Sequence, residues 1–315
     1  MNLNNNKENN NMEQIYKKKK VTLFRGNAID VLNGMDEEIV DCIVTSPPYY
    51  SLRDYKTDGQ IGAEKTEEEY LDSLVAVFRA ARRVLKDSGV FFLNIGDRYW
   101  KKQLRCMPWK LALKLAEDGW ILRQDIIWHK PNPMPESIKS RCTKSHEYIF
   151  MFTKTRKHYF GYWDMREPAK YSKEMLEKRK KMPAFEGKYS YADDKRYRTR
   201  GAGAYKPDGW RAKRSVWTMG TTCAKSDHPA PFPDALAKNC ILAGCPENMI
   251  VLDPFAGSGT VGRVANSLDR EAYLIELSDE YADSIDEMIK KIPKKTLSLP
   301  WGEDISCPAE NNKDS

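Results

Sequence analysis

Long apolar runs are missing from this chain. No stretch approaches the ~18 consecutive apolar residues of a membrane span, and the N-terminus has no apolar signal core. That predicts a cytoplasmic protein with no membrane partner. Paired cysteines are missing too: Cys42, Cys106, Cys142, Cys223, Cys240, Cys245 and Cys307 are odd in number, scattered, and contain no C-x-x-C. Such a set fits reduced thiols and argues against a disulfide framework or zinc site. His129, His146, His158 and His228 have no metal-ligand spacing, so no metal is expected. There is no internal repeat. No G-x-x-x-x-G-K occurs, which excludes a phosphate-binding P-loop.

What is present begins with an ordinary apolar fraction, 41% of 315 residues, enough for one large core or two modest ones. The net charge of +7 is unevenly spread. Residues 154 to 214 hold 19 Lys and Arg against 8 Asp and Glu, a local +11, so the rest of the chain sums to −4. The same segment interleaves aromatic residues, among them Tyr159, Trp163, Tyr171, Tyr197, Tyr205 and Trp210, and contains "RTRGAGAYKPDGW". Rings among cations suit a nucleic acid, whose phosphates take the charge and whose bases stack. A solvated lysine-rich insertion is the alternative. The residues expected to contact DNA are Arg53, Arg196, Arg198, Arg200, Lys206, Arg211 and Lys213.

Along the chain, short apolar runs alternate with amphipathic helical patterns. "VTLFRG", "VDCIVT", "SGVFFLNIGD", "WILRQDIIWHK", "EYIFMFTK", "NMIVLDPF" and "EAYLIEL" read as strands. "EEEYLDSLVAVFRAARRVL" places Tyr70, Leu74, Val77, Phe78, Ala81 and Leu85 on one helical face, with acids at its start and bases at its end. The alternation predicts an α/β fold: a mostly parallel twisted sheet with helices on both faces. The expected organisation is a disordered polar tail over 1–20, a first half over 21–153, a basic insertion over 154–215, a second half over 216–292 and a tail over 293–315.

Two loops carry the chemistry. In "DCIVTSPPYYSLRD", Pro47 and Pro48 must end the strand before them, because proline has no N–H for a ladder. Pro48 restricts the residue before it, so the Pro47 carbonyl has a fixed direction, beside the Ser46 hydroxyl and the Tyr49 ring. In "VLDPFAGSGT", a buried strand runs through a glycine turn into a helix. Glu276 ends the next strand 19 residues after Gly257. That spacing suits a nucleoside-binding β-α-β unit, with bare backbone at a helix N-terminus and a carboxylate for ribose hydroxyls.

Together these loops resemble the amino-methylating DNA methyltransferases that use S-adenosylmethionine, whose hallmarks are D-P-F-x-G-S/T-G-T and D/N/S-P-P-Y. The order, with "SPPY" first and "DPFAGSGT" last, is similar to the permuted β group. The likeness covers about residues 21 to 289 apart from the basic insertion, which stands where that family has its target-recognition region. It implies a Rossmann-like methyltransferase fold, with Ser46, Pro47, Pro48 and Tyr49 in catalysis. It implies that Asp253, Phe255, Gly257, Gly259, Thr260 and Glu276 meet S-adenosylmethionine, with Phe232 of "HPAPFP" at its methionine end. Asn27 of "FRGNAID" stands where the family commonly has Asp near the adenine, which keeps an acceptor and loses a charge.

An exocyclic amino nitrogen has its lone pair delocalised into the base, so it attacks a methyl group poorly. Acceptors on its N–H groups, here Ser46 Oγ and the Pro47 carbonyl, draw it towards tetrahedral geometry. Tyr49 would stack on the base once it is flipped out of the duplex. Serine before Pro-Pro-Tyr in the resembling family accompanies cytosine N4, which makes that the leading target, with adenine N6 the alternative. An RNA base, a protein amide, or non-catalytic nucleic-acid binding are more distant readings. Double-stranded DNA, a cognate restriction endonuclease, and a monomer or weak dimer are the expected partners and state. Tyr50, Arg53 and Asp54 follow the same loop, Asp97 ends the strand "FFLNIG" at a carboxyl edge where it either supports the site or caps the following turn, and His228 is expected to be structural.

Overall fold

The computed structural model describes residues 21–52, 57–168, 210–221 and 232–291, with the backbone alone of 13–18. The chain divides into two compact units, Tyr162–Arg214 and the remainder. Among the described residues no helix is long and apolar enough to cross a membrane.

The larger unit is built on a nine-stranded sheet. Its strands are β1 (Glu13–Lys18), β2 (Val21–Arg25), β3 (Val40–Thr45), β4 (Leu85–Ile95), β7 (Ile121–His129), β8 (His146–Thr153), β11 (Val216–Thr218), β12 (Ile250–Asp253) and β13 (Glu271–Glu276). Their order is β1-β2-β13-β12-β3-β4-β8-β7-β11. Strands β2, β13, β12, β3 and β4 are mutually parallel, and β8 turns the sheet antiparallel on both of its sides. A two-stranded hairpin, β5 (Tyr99–Trp100) and β6 (Gln103–Leu104), follows β4. Parallel strands put all their carboxyl ends at one edge, the edge where open α/β sheets hold ligands.

Helices cover both faces of the parallel part, as such sheets require. They are α1 (Ala28–Gly34), α2 (Glu67–Val84), α3 (Met107–Glu117), α4 (Asp234–Gly244), α5 (Thr260–Ser267) and α6 (Asp279–Lys291). In α2 the predicted stripe of Tyr70, Leu74, Val77, Phe78 and Ala81 is buried, whereas Leu85, expected on the same helical face, is buried as the first residue of β4. Its N-terminus is closed by a capping box, Thr66 Oγ1 accepting from the Glu69 amide and Glu69 accepting from the Thr66 amide. Phe91, Phe150 and Phe152 form the aromatic centre of the core, fully buried between sheet and helices.

The expected disordered tail over 1–20 needs a correction: Glu13–Lys18 pairs antiparallel with β2. Residues 21 to 25 would otherwise end the sheet with an open row of backbone donors and acceptors. Pairing satisfies them without asking for apolar side chains, so low hydrophobicity did not betray the strand.

The smaller unit contains an antiparallel pair, β9 (Arg166–Pro168) with β10 (Trp210–Ala212). Within it the Arg166 guanidinium lies over the rings of Trp163, at 4.7 Å, and Trp210, at 6.0 Å.

Candidate active site

The two loops, some 200 residues apart in the chain, meet because β3 and β12 are neighbours in the sheet, with Val251 opposite Cys42 and Leu252 opposite Ile43. "SPPY" leaves the end of β3 and "DPFAGSGT" leaves the end of β12. Both open onto one cavity of about 660 Å³. Asn27, Ser46, Pro47, Pro48, Tyr49, Phe232, Phe255, Gly257, Thr260 and Glu276 all line it.

On one side the glycine turn sets the geometry. Gly257 and Gly259 have φ of 52° and 73°, in the left-handed region that a Cβ disfavours. A Cβ on Gly259 would also press on α6, 2.5 Å from Met288 Cε and 3.3 Å from Ile285. Glu276 accepts from the Gly257 amide at 2.8 Å and the Ser278 amide at 2.9 Å, which ties the end of β13 to the turn. Burial raises its pKa, and those amides oppose the shift. Asn27 Oδ1 caps α1 through the Ile29 amide at 2.9 Å.

Asp253 and Gly259 do not line the cavity. Asp253 is 1% exposed and accepts from Thr45 Oγ1 at 2.6 Å and from the Phe255 amide at 3.1 Å. It therefore binds the ends of β3 and β12 together beneath the two loops. Burial pushes its carboxyl up to about 7.

On the other side Tyr49 is held in a network whose other members the sequence reading missed. Its hydroxyl donates to Glu147 Oε2 at 2.8 Å and receives from Ser46 Oγ at 3.4 Å. Asn94 Nδ2 donates both to Tyr49 at 3.2 Å and to Glu147 Oε2 at 2.8 Å. Lys130 Nζ donates to Glu147 Oε1 at 2.5 Å. Asn94 Oδ1, on a residue 1% exposed that lines the cavity, has no hydrogen-bond partner among the described residues. Burial, with Glu147 close by, pushes the Tyr49 phenol well above its ordinary value and keeps it protonated. The sequence signal for Asn94 was a polar residue inside an otherwise apolar strand, whereas Glu147 stands beside His146 at the polar start of β8.

The loop itself is pinned from behind. The Tyr70 hydroxyl donates to the Pro48 carbonyl at 2.8 Å, and the Ser51 amide to the Gly62 carbonyl at 2.8 Å. Gly96 is needed where the Tyr49 ring crosses β4: a Cβ there would meet Tyr49 Cε2 at 2.9 Å and the Glu147 carboxyl carbon at 3.2 Å.

Of the cations expected to contact DNA, Arg53, Arg196, Arg198, Arg200 and Lys206 lie outside the described residues, as do Asp54 and His228. Arg211 is committed to Glu167 at 2.8 Å, and the Lys213 amide donates to the Met165 carbonyl at 3.0 Å. Asp97 accepts from the Arg98 and Met107 amides, which makes it the cap of the turn after β4. No group of His, Cys, Asp and Glu among the described residues could hold a metal ion.

A glycine turn and an S-P-P-Y loop thus share one cavity at the carboxyl edge of a parallel sheet. The chain belongs to the DNA methylase family, whose model matches residues 40–287. It is 41% identical over 293 residues to the type II methyltransferase M.SmaI of Serratia marcescens, covering 84% of this chain and 89% of that one. Its fold matches the PvuII cytosine-N4-specific DNA methyltransferase at a TM-score of 0.65 and 18% identity, covering 90% and 95% of the two chains. It also matches a DNA modification methylase of Thermus thermophilus solved with S-adenosyl-L-methionine, at a TM-score of 0.56 and 25% identity, covering 87% and 97%.

Proposed function

We propose that this site-specific DNA methyltransferase acts on the N4 amino group of cytosine in duplex DNA. The observation that carries the reading is the shared cavity: acceptors for an amino group on one wall, a nucleoside-type turn on the other. S-adenosylmethionine is the methyl donor, and it supplies an electrophilic methyl on sulfur. Glu276 suits its ribose hydroxyls, and Asn27, Phe232, Phe255, Gly257 and Thr260 suit the rest of it. Asp253 and Gly259 act from behind that wall.

The direction of the hydrogen bonds makes Ser46 an acceptor. Its hydroxyl hydrogen points to Tyr49, whose own hydrogen points to Glu147, so the Ser46 lone pairs face the amino group. Asn94 Oδ1 is a second acceptor, since its amide nitrogen is already spent on Tyr49 and Glu147. As the nitrogen takes the methyl group it must lose a proton. The proton has a path from Ser46 through Tyr49 to the Glu147 carboxylate, which Lys130 holds in place. Serine at the head of the loop, where the resembling family has Asp or Asn for adenine, supports cytosine.

Sequencing that reads modified bases, on a host expressing the chain, tests this. N4-methylcytosine at a single motif is expected. N6-methyladenine would overturn the base assignment, and unmodified DNA would overturn the activity.

A further inference from the structure

Beyond the cavity, the β5–β6 hairpin is exposed, cationic and conformationally costly. Its turn is the pair Lys101 and Lys102, with φ of 47° and 66°. Two-residue hairpins of this kind favour Asn-Gly, because a Cβ disfavours positive φ. Two lysines there indicate a use for the charge. Between residues 98 and 106 the chain has Arg98, Lys101, Lys102 and Arg105 and no carboxylate. Arg105 is paired with Glu67, whereas neither lysine has an ion-pair partner among the described residues. Trp100 is 55% exposed although it is the largest apolar side chain of the hairpin.

The exposed indole is linked to the catalytic loop by a ladder of contacts. The Arg98 guanidinium lies 5.5 Å from the Trp100 ring and 5.7 Å from the Tyr50 ring, and donates to the Tyr50 carbonyl at 2.7 Å. Tyr50 packs on Tyr70, ring centroids 5.4 Å apart, and Tyr70 holds the Pro48 carbonyl. Arg141 lies 3.8 Å over Tyr99 and steadies the same strand.

We propose that this hairpin is a duplex-DNA contact, in which Trp100 stacks in the gap opened when the target base leaves the helix and Lys101 and Lys102 meet the flanking phosphates. It rests on the DNA-methyltransferase reading and is independent of which base is methylated. An indole in the gap replaces stacking that the extruded base gives up, so its loss is felt most where extrusion is costliest, in a paired target, and least where a mismatch has already loosened the base. The lysines act on any duplex, through counterion release.

Two measurements on the full chain test it. The first is affinity for plasmid DNA from a methylase-free host over a range of salt. Lys101→Gln with Lys102→Gln should flatten the slope of log K against log salt by about 1.8, roughly 0.9 for each lost phosphate contact. The second is single-turnover methylation of a duplex carrying the motif found by sequencing, with the target base either paired or mismatched. Trp100→Ala should slow methylation of the paired substrate by about 5- to 150-fold, the range that one lost base–aromatic stack implies, and leave the mismatched one near the parent rate. Trp100→Phe should recover most of the loss. An unchanged salt slope, or Trp100→Ala equal to the parent on paired DNA, would overturn the proposal. So would equal losses on both substrates, which would mean a structural defect. If the parent chain methylates nothing, the functional reading fails and the salt slope alone decides the hairpin.

Discussion

Tyr49 and Glu147, 98 residues apart, share a hydrogen bond of 2.8 Å at the wall of the cavity. Read as sequence, Tyr49 needed only its ring. Its hydroxyl now has a donor in Ser46 and an acceptor in Glu147, which makes Tyr49→Phe and Glu147→Gln informative variants. Each should slow single-turnover methyl transfer by about 10²- to 10⁴-fold, as losing one proton-transfer partner does. The double variant should be little slower than either, since both break one chain. Losses that multiply would show that the two residues act separately.

Ser46→Ala should remove an acceptor that acts mainly as the amino nitrogen becomes tetrahedral. The expected loss in the methyl-transfer step is on the order of 10² to 10³, with affinity for DNA and for S-adenosylmethionine retained. Rapid-quench kinetics with tritiated donor, alongside binding titrations, measures both.

Glu276 and Asp253, two buried acids at neighbouring strand ends, should behave differently. Glu276→Gln keeps one acceptor for the Gly257 or Ser278 amide but leaves the ribose hydroxyls a weaker partner. About tenfold weaker donor binding is expected by calorimetry, the size of one lost charge-assisted hydrogen bond. Asp253→Asn can still accept from Thr45 and Phe255, so donor affinity should stay near that of the parent.

Asp253 should also shape the pH dependence of stability. Its folded value of about 7 lies above the ordinary 3.8, so the folded protein holds a proton that the unfolded chain has lost. Its contribution is fullest below about pH 4 and is lost as pH rises to about 7. In Asp253→Asn that decline is absent. Thermal unfolding of parent and variant from pH 4 to 8 should give curves that diverge across this window, and parallel curves would refute the assignment.

Gly96→Ala should impair the site while leaving every polar side chain of the network in the sequence. The new Cβ would press on the Tyr49 ring and the Glu147 carboxyl, at a cost of about 1 to 3 kcal/mol in stability. Activity should fall with it, measured by the same single-turnover assay.

The loops themselves were legible because each depends on local chemistry. Two consecutive prolines must end a strand, and a glycine turn between a buried strand and a helix reads the same in any fold. The α2 stripe and the strand alternation were legible for the same reason, since period and burial are properties of neighbours in the chain. Asn94 and Glu147 were not, because a polar residue in a strand says nothing of its partner on the next strand. The hairpin at Lys101 was hidden too: two lysines carry no turn signal, and the conformation they adopt is imposed by the strands on either side.

The sequence by itself determined the class of chemistry, by placing an acceptor, a rigid carbonyl and a ring in one short loop and a nucleoside turn in another. Only the tertiary structure decided that these face one cavity, because adjacency in a parallel sheet is set by backbone pairing between β3 and β12 and not by distance along the chain. It decided as well that Asp253 lies beneath the site and Glu147 beside it. Burial and hydrogen-bond geometry, which assign those roles, exist only once strands far apart in the sequence have packed.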